Sequence, residues 1–453
     1  MSSTVPTGLQ VAEATGPRHG SPQLEMDPDE GRVSRRIFTD PHVFEMELEE
    51  IFAKAWFFVA HESELPNPGD MVSRPVGVDR AVVVRDDRGQ LRAFLNSCRH
   101  RGMRLCRTDR ANGRFLRCPY HGWTYGNDGS LVLVPTEDHY GPGELDKAAL
   151  GLISVGHLAV HQGLVFATWD PEAPSLHEYL GDMAFYLDVI FGRTDGGVEV
   201  VGSPQVWEVE TGWKFATDNF TDNFHVFQTH HSLVELGLLP PDPDFAASGN
   251  MVVAGNGHIM HFTEGPPVDE FRGFGLPRAL RDQFRSNLTP EQSQVIERSG
   301  LSAGTVWPNF HWLQLLVQSD PSLPITPVLN LRLEEPVTAT RTRMWSWFAV
   351  DRTADAEFRR ASYETYVRTF GPSGIFDQDD MENWEDCTRA NVGPVAKRFS
   401  LHHGMGIGRP VDTTWPGPGT AYQGAYGEMT QRSWYAEWWR RMRAPLQEAR
   451  VAP

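Results

Sequence analysis

The chain has 453 residues, room for two domains, and its 40% apolar and 11% aromatic content can build sizeable cores. Forty-one Lys and Arg against 59 Asp and Glu leave a formal charge of −18, the wrong sign for general nucleic-acid binding. No run approaches the roughly 18 apolar residues of a membrane span, and four cysteines (Cys98, Cys106, Cys118, Cys387) are too few for a secreted disulfide scaffold, so a cytoplasmic protein is expected.

In chain order, "MSSTVPTGLQVAEATGPRHGSPQ" opens a polar stretch expected to be a flexible tail over 1–38. "PHVFEMELEEIFAKAWFFV" carries apolar residues at helical spacing and predicts an amphipathic helix over 39–55. From there to "GLVFATWD", runs such as "AVVVRD", "LRAFLN" and "GSLVLVP" alternate with proline- and glycine-rich turns and predict an all-β unit over 56–172. Inside it, Cys98 and His100 form C-x-H, and Cys118 and His121 form C-x-x-H, with 17 residues between the pairs. Both pairs run into a glycine, which suits tight loops expected at the tips of hairpins. A zinc finger pairs like ligands, whereas each loop here mixes one thiolate with one imidazole. That alternation suits a Rieske [2Fe–2S] centre, in which two cysteines hold one iron and two histidines the other. Cys106 fits neither loop and reads as a bystander.

The stretch resembles the Rieske domain of ring-hydroxylating dioxygenases, non-haem iron enzymes with a Rieske cluster and a mononuclear iron. The resemblance implies that Cys98 and Cys118 bind the inner iron and His100 and His121 the outer one, with Trp123 packed beneath the cluster.

A Rieske centre passes electrons singly and needs an acceptor. In "WKFATDNFTDNFHVFQTHHSL", His225 and His230 are five residues apart, about 140° out of phase on a regular helix, so a break between them is expected if they share a metal. His231 is the rival partner. Asp218, Asp222 and His225 lie near one face, with Asp222 at i−3 from His225. Two histidines and one carboxylate with open positions form the facial triad that suits ferrous iron. The acid is sought in "FGPSGIFDQDDMENWEDC", where Asp379 or Asp380 enters the first turn of a helix, and Asp377 and Asp379 are read as partners of the helix dipole. The family resemblance covers this segment and implies His225, His230 and Asp380 as ligands. It implies that Asp222 bridges to the cluster of a neighbouring subunit through that subunit's His121, and that Asn219 is a polar group near the iron. One departure stands out: a single residue, Thr221, separates Phe220 from Asp222, where two are expected.

The remainder, 173–453, is expected to form the catalytic domain. The resemblance implies an α+β fold, with the all-β Rieske domain inserted before a curved antiparallel sheet that is covered by helices, and with the N-terminal helix packing back on it. "PVLNLRLEEPVTATRTRMWSWFAV" predicts a hairpin of that sheet, and "SWYAEWWRRM" a closing helix whose Trp434, Trp438 and Met442 form a packing stripe. "HHGMGIGRP" does not fit a dinucleotide fingerprint. With no flavin or nicotinamide domain in the sequence, electrons are expected from another protein; the resemblance implies NAD(P)H as their source, through a ferredoxin and a reductase. Phe220, Phe224, Phe227, Phe370 and Phe376 flank the iron motifs, and half of them are expected to line an aromatic pocket. "VELGLLPPDPDF" is similar to actinobacterial large subunits that act on polycyclic aromatics or phthalate. The resemblance implies O2-dependent cis-dihydroxylation of an aromatic ring by an α3β3 assembly with a small β subunit, or by an α3 trimer. The alternatives are a Rieske monooxygenase, such as a demethylase, and a pure Rieske electron carrier. Seven arginines between Cys98 and His121, against the single acid Asp109, read as structural pairs or as a docking patch for an acidic ferredoxin, with Arg110 a candidate exposed member.

Overall fold

The computed structural model describes residues 24, 26–239, 248–264 and 272–448. The first departure from the sequence reading comes at the N-terminus. The stretch assigned to the tail contains a strand, Arg32–Ser34, paired antiparallel with Ser400–His402. The single helix expected over 39–55 is divided into Arg36–Thr39, Pro41–Glu47 and a π-helical turn at Leu48–Phe52. Asp40 precedes a proline, which disfavours helical backbone there, and it is extended (φ −84°, ψ 116°). Its carboxylate accepts the His42 N–H at 3.1 Å, and Pro41 starts the new helix, where no backbone donor is needed.

Glu47, at the end of that helix, is fully buried and accepts three donors: Trp213 Nε1 at 3.0 Å, Lys214 Nζ at 2.5 Å and Trp438 Nε1 at 2.6 Å. A buried carboxylate is tolerated when paired and hydrogen-bonded. This one ties the N-terminal helix to the helix Trp213–Asn219 and to the closing helix Met429–Glu448. On the closing helix, Trp434, Trp438 and Met442 are buried, as the stripe predicts.

The β unit consists of three small antiparallel sheets. One has the order Leu91–Leu95, Asp79–Arg85, Asp70–Val76, Arg110–Asn112; a second is Phe115–Arg117, Thr124–Gly126, Leu131–Leu133; the third is His157–His161, Leu164–Thr168, Phe57–His61. The first two enclose a core of Val82, Val84, Phe94, Leu116 and Trp123 around Cys98 and Cys118. The third turns to the rest of the chain, where Phe58 stacks on Phe310 at 4.3 Å.

Beyond it lies a nine-stranded antiparallel sheet. Its order is Val198–Val200, Arg341–Asp351, Thr326–Thr338, Phe310–Val317, Leu301–Val306, Ile259–Thr263, Asn250–Val253, Thr420–Gln423, and Gln205–Val209 also pairs with Arg341–Asp351. The predicted hairpin is present, Leu331 facing Trp347 and Leu333 facing Trp345. Helices Trp213–Asn219 and Ala356–Thr369 pack on strand Thr326–Thr338. The architecture is α+β, with a β domain followed by a helix-covered antiparallel sheet. Among the described residues, no helix is long and apolar enough to cross a membrane.

Candidate metal centres

The two Cys/His loops share one backbone design. The Cys98 carbonyl accepts the Gly102 N–H at 2.9 Å, and the Cys98 N–H donates to Met103 O at 2.9 Å. In the second loop, the Cys118 carbonyl accepts the Gly122 N–H at 3.0 Å, and the Cys118 N–H donates to Trp123 O at 2.7 Å. Gly102 and Gly122 have φ of +72° and +75°, a conformation that strains any residue with a Cβ. The spacing common to both loops is therefore cysteine to glycine at four, whichever intervening position holds the histidine. Only the second loop caps a hairpin, between Phe115–Arg117 and Thr124–Gly126. The first joins strands on opposite edges of the four-stranded sheet, because Asp79–Arg85 and Asp70–Val76 lie between them, so the hairpin expected there is corrected.

Cys98 and Cys118 are buried thiols, and the rings of His100 and His121 meet edge-on with centroids 4.6 Å apart. Trp123 lies parallel to His100 at 5.0 Å and backs that ring. The Tyr125 hydroxyl sits 3.4 Å from Cys98 Sγ and accepts the Arg99 N–H at 3.1 Å. His100 Nδ1 is buried with no hydrogen-bond partner. Two buried soft donors, two adjoining imidazoles and an unsatisfied ring nitrogen fit a Rieske cluster. Cys106 stands apart, its thiol 3.5 Å from the Thr108 carbonyl. Of the seven arginines here, Arg110 is paired with Glu64 at 2.8 Å and donates to Gly202 O at 2.8 Å, so it is not a free docking residue; the other six are exposed.

The second centre forms where helix Trp213–Asn219 gives way to a turn. The Thr221 carbonyl accepts from His261 Nε2 at 2.7 Å and from Thr430 Oγ1 at 2.9 Å, so sheet and closing helix both fix the turn. His225 and His230 flank the one-turn helix Val226–Thr229 as its N-cap and C-cap. The expected break falls at His230, whose φ of −98° and ψ of 32° leave the helix. The first turn of helix Asp377–Asn391 brings in Asp380, with Oδ1 3.8 Å from His225 Nε2 and 3.5 Å from His230 Nε2. One ligand atom from each of the three residues lies within 4.8 Å of the others. His231 is directed instead to Glu235, at 3.7 Å on the exposed surface.

Both histidines are oriented from behind. Asp222 Oδ1 lies 2.6 Å from His225 Nδ1 and accepts the His225 backbone N–H at 3.1 Å. Asp379 Oδ2 lies 3.3 Å from His230 Nδ1. Each ring thereby presents Nε2 to Asp380, the arrangement by which outer carboxylates fix ligand tautomers. Asp379, read from sequence as a dipole partner, thus also holds a histidine. Asp377 is likewise more than a dipole partner, since it accepts from Arg332 and from the Gly371 N–H deep in the protein. Arg332 was missed entirely from sequence.

Charge is concentrated here. Burial, opposed by His225 and reinforced by Asp377 and Asp222, pushes the Asp380 carboxyl up to about 7. Burial acts to lower His225, but Asp222 and Asp380 prevail and raise it to about 9. Burial lowers His230 to about 3. Asp218 rises to about 8 through burial and the neighbouring Asp222. Asp380 Oδ1 is buried with no hydrogen-bond partner. Two imidazoles and an unsatisfied carboxylate in a cluster of acids fit a ferrous ion with open positions.

A cavity of about 170 Å³ opens on these three residues. Asn219 and Asp222 border it, and Phe220, Phe227, Phe370 and Phe376 line it; Phe224 is not among its walls. Phe376 packs edge-on to His230 at 4.7 Å. Leu313, Leu315, Leu316 and Ile325 extend the apolar lining, and no lysine or arginine lines the cavity among the described residues.

Residues 55–151 match the Rieske [2Fe-2S] domain, and residues 177–403 match the catalytic domain of the ring hydroxylating alpha subunit. A solved naphthalene 1,2-dioxygenase from Rhodococcus sp., bound to indole, is similar with a TM-score of 0.88 and 42% identity, covering 91% of this chain and 94% of that one. Biphenyl 2,3-dioxygenase subunit alpha of Rhodococcus jostii is 32% identical over 93% of this chain and 91% of its own. N,N-dimethyl phenylurea N-demethylase subunit alpha of a Sphingobium species is 34% identical over 94% of both. With both domains matched along nearly the whole chain, the protein belongs to the alpha subunits of Rieske-type aromatic ring-hydroxylating dioxygenases, oxidoreductases that carry a Rieske [2Fe–2S] cluster and a mononuclear iron.

Proposed function

We propose that this alpha subunit catalyses cis-dihydroxylation of an uncharged aromatic ring, with Cys98, His100, Cys118 and His121 holding the cluster and His225, His230 and Asp380 the ferrous iron. The observation that carries the reading is the apolar, phenylalanine-walled cavity opening on that triad. An aromatic acid such as phthalate would need a cation for its carboxylate. None lines the cavity among the described residues. This favours a hydrocarbon of the naphthalene or biphenyl kind, in keeping with the relatives named for those substrates. The N-demethylase relative supports a second reading, oxidative N-demethylation in the same cavity.

When bound, the cluster supplies single electrons and the ferrous ion activates O2 at its open positions. The net change adds both atoms of O2, two electrons and two protons to one ring double bond. The chain's own residues prepare for this. Asp222 and Asp379 hold the two imidazoles with Nε2 inward. Phe220, Phe227 and Phe370 confine a flat ring and exclude water, while Asn219 places one polar group at the cavity edge. Asp222 is suited to pass electrons from a neighbouring subunit's cluster to His225, its hydrogen-bonded partner. A ferredoxin and reductase deliver those electrons, and the assembly is α3β3, with α3 as the alternative, in the cytoplasm. The test is a screen of naphthalene, biphenyl, phthalate and a dimethyl phenylurea with reconstituted redox partners. The reading expects cis-diols from the hydrocarbons; turnover of phthalate or the urea alone would reject it.

A further inference from the structure

Strand Thr326–Thr338 places Asn330, Arg332 and Glu334 at alternate positions, hence on one face, and all three are fully buried. On the neighbouring strand, His311 stands directly opposite Arg332. Arg332 Nε donates to Asn330 Oδ1 at 2.6 Å, and Nη2 donates to Asp377 Oδ2. The same Asp377 oxygen accepts the Gly371 N–H. Asp377 is the first residue of the helix that carries Asp380, one turn earlier on the same face.

The guanidinium has a second set of neighbours. Its Cζ lies over three rings, 5.8 Å from the centroid of Phe220, 5.6 Å from that of Phe370 and 5.3 Å from that of Trp207. Phe220 and Phe370 are cavity walls, and Phe220 is also stacked on His311 at 4.7 Å. One buried cation therefore touches the acid that begins the Asp380 helix, the ring that follows Asn219 and the ring that precedes the Gly371 turn. A buried ion pair is poor evidence of stabilisation by itself, because desolvation of two charges offsets their attraction. Its value here is geometric: a planar fork that satisfies Asn330 and Asp377 together fixes both distance and direction.

We propose that Arg332 is a positioning residue for the mononuclear centre, setting through Asp377 how far Asp380 reaches towards His225 and His230. The inference rests on the assignment of those three residues as iron ligands. Lysine at 332 keeps the charge but loses the fork. Methionine at 332 with leucine at 377 removes both charges together and leaves no unpaired ion, an exchange that often preserves stability.

The experiment titrates ferrous ion into the intact protein after its mononuclear iron has been removed, with the cluster absorbance and thermal midpoint recorded for each variant. Arg332→Lys is expected to keep the cluster spectrum and raise the ferrous Kd about 10-fold, the lower end of what outer partners of metal ligands contribute. The double variant R332M/D377L is expected to raise it as much or more without a loss of thermal midpoint. If either variant folds with the parent's Kd, Arg332 is a structural residue only and the proposal is overturned. Asp380→Ala separates this from the underlying reading: it should lose ferrous binding, and if it binds as the parent does, the ligand assignment fails instead.

Discussion

Replacing Asp222 by alanine should weaken iron binding while leaving the cluster untouched. Its Oδ1 lies 2.6 Å from His225 Nδ1 and accepts the His225 N–H at 3.1 Å, with both side chains less than one-fifth exposed. A charge-assisted hydrogen bond in such surroundings is worth about 1.5–3 kcal/mol. The bond also selects the tautomer that leaves Nε2 facing Asp380, so its loss falls on the metal. At about 1.4 kcal/mol per decade, the ferrous Kd should rise roughly 10- to 100-fold. Asp222→Asn retains an oxygen acceptor, and its effect on Kd should be the smaller of the two. Its effect on turnover should be large, because the bridge loses its charge. The assay is a ferrous titration monitored against the cluster's absorption, followed by single turnover of prereduced protein. An alanine variant that binds iron as tightly as the parent, or an asparagine variant that oxidises its cluster and forms product at the parent rate, would refute the reasoning.

The remaining expectations can be checked on single variants. Cys98→Ser and His121→Ala should each abolish the Rieske absorption and EPR signal, since each removes one of four donors; a purified variant with the parent spectrum refutes the assignment. Asp380→Ala should retain the cluster and lose the mononuclear iron, leaving about two irons per chain instead of three. Asp379→Ala, which removes the partner of His230 at 3.3 Å, should keep some iron and activity, and the reverse order would exchange the two roles. Reduction of the cluster by an acidic ferredoxin should slow as salt rises, and charge reversal at exposed Arg101 or Arg114 should flatten that slope. Arg110 should matter less to docking, being paired with Glu64. Stopped-flow rates of the parent that do not depend on salt would remove these arginines from the docking surface.

How much of this was legible in sequence follows from how local each signal is. The cluster loops were readable because each brings one thiolate and one imidazole within four residues, and their shared cysteine-to-glycine spacing is a backbone requirement. The two-domain α+β plan followed from those motifs and the resemblance they carried. The iron centre was readable only in part. His225 and His230 flank a one-turn helix whose end at His230 is the break that the spacing demanded but could not place. Asp379 and Asp380 are adjacent, so spacing alone did not separate them; the family resemblance singled out Asp380, and in the structure Asp380 lies near the Nε2 atoms of both histidines while Asp379 lies behind His230. Arg332 gave no signal at all: its partner lies 45 residues away, and an arginine in a strand ordinarily faces water. At the N-terminus, Pro41 was visible, but the helical periodicity around it concealed the break.

Product analysis under 18O2, with naphthalene as substrate and reconstituted electron-transfer partners, tests the central claim most directly. The account predicts a cis-diol carrying two labelled oxygens from a single O2 molecule, and loss of that product in Asp380→Ala with the cluster intact. A product with at most one labelled oxygen, or no reaction with naphthalene alongside demethylation of an N-methyl arene, would contradict it.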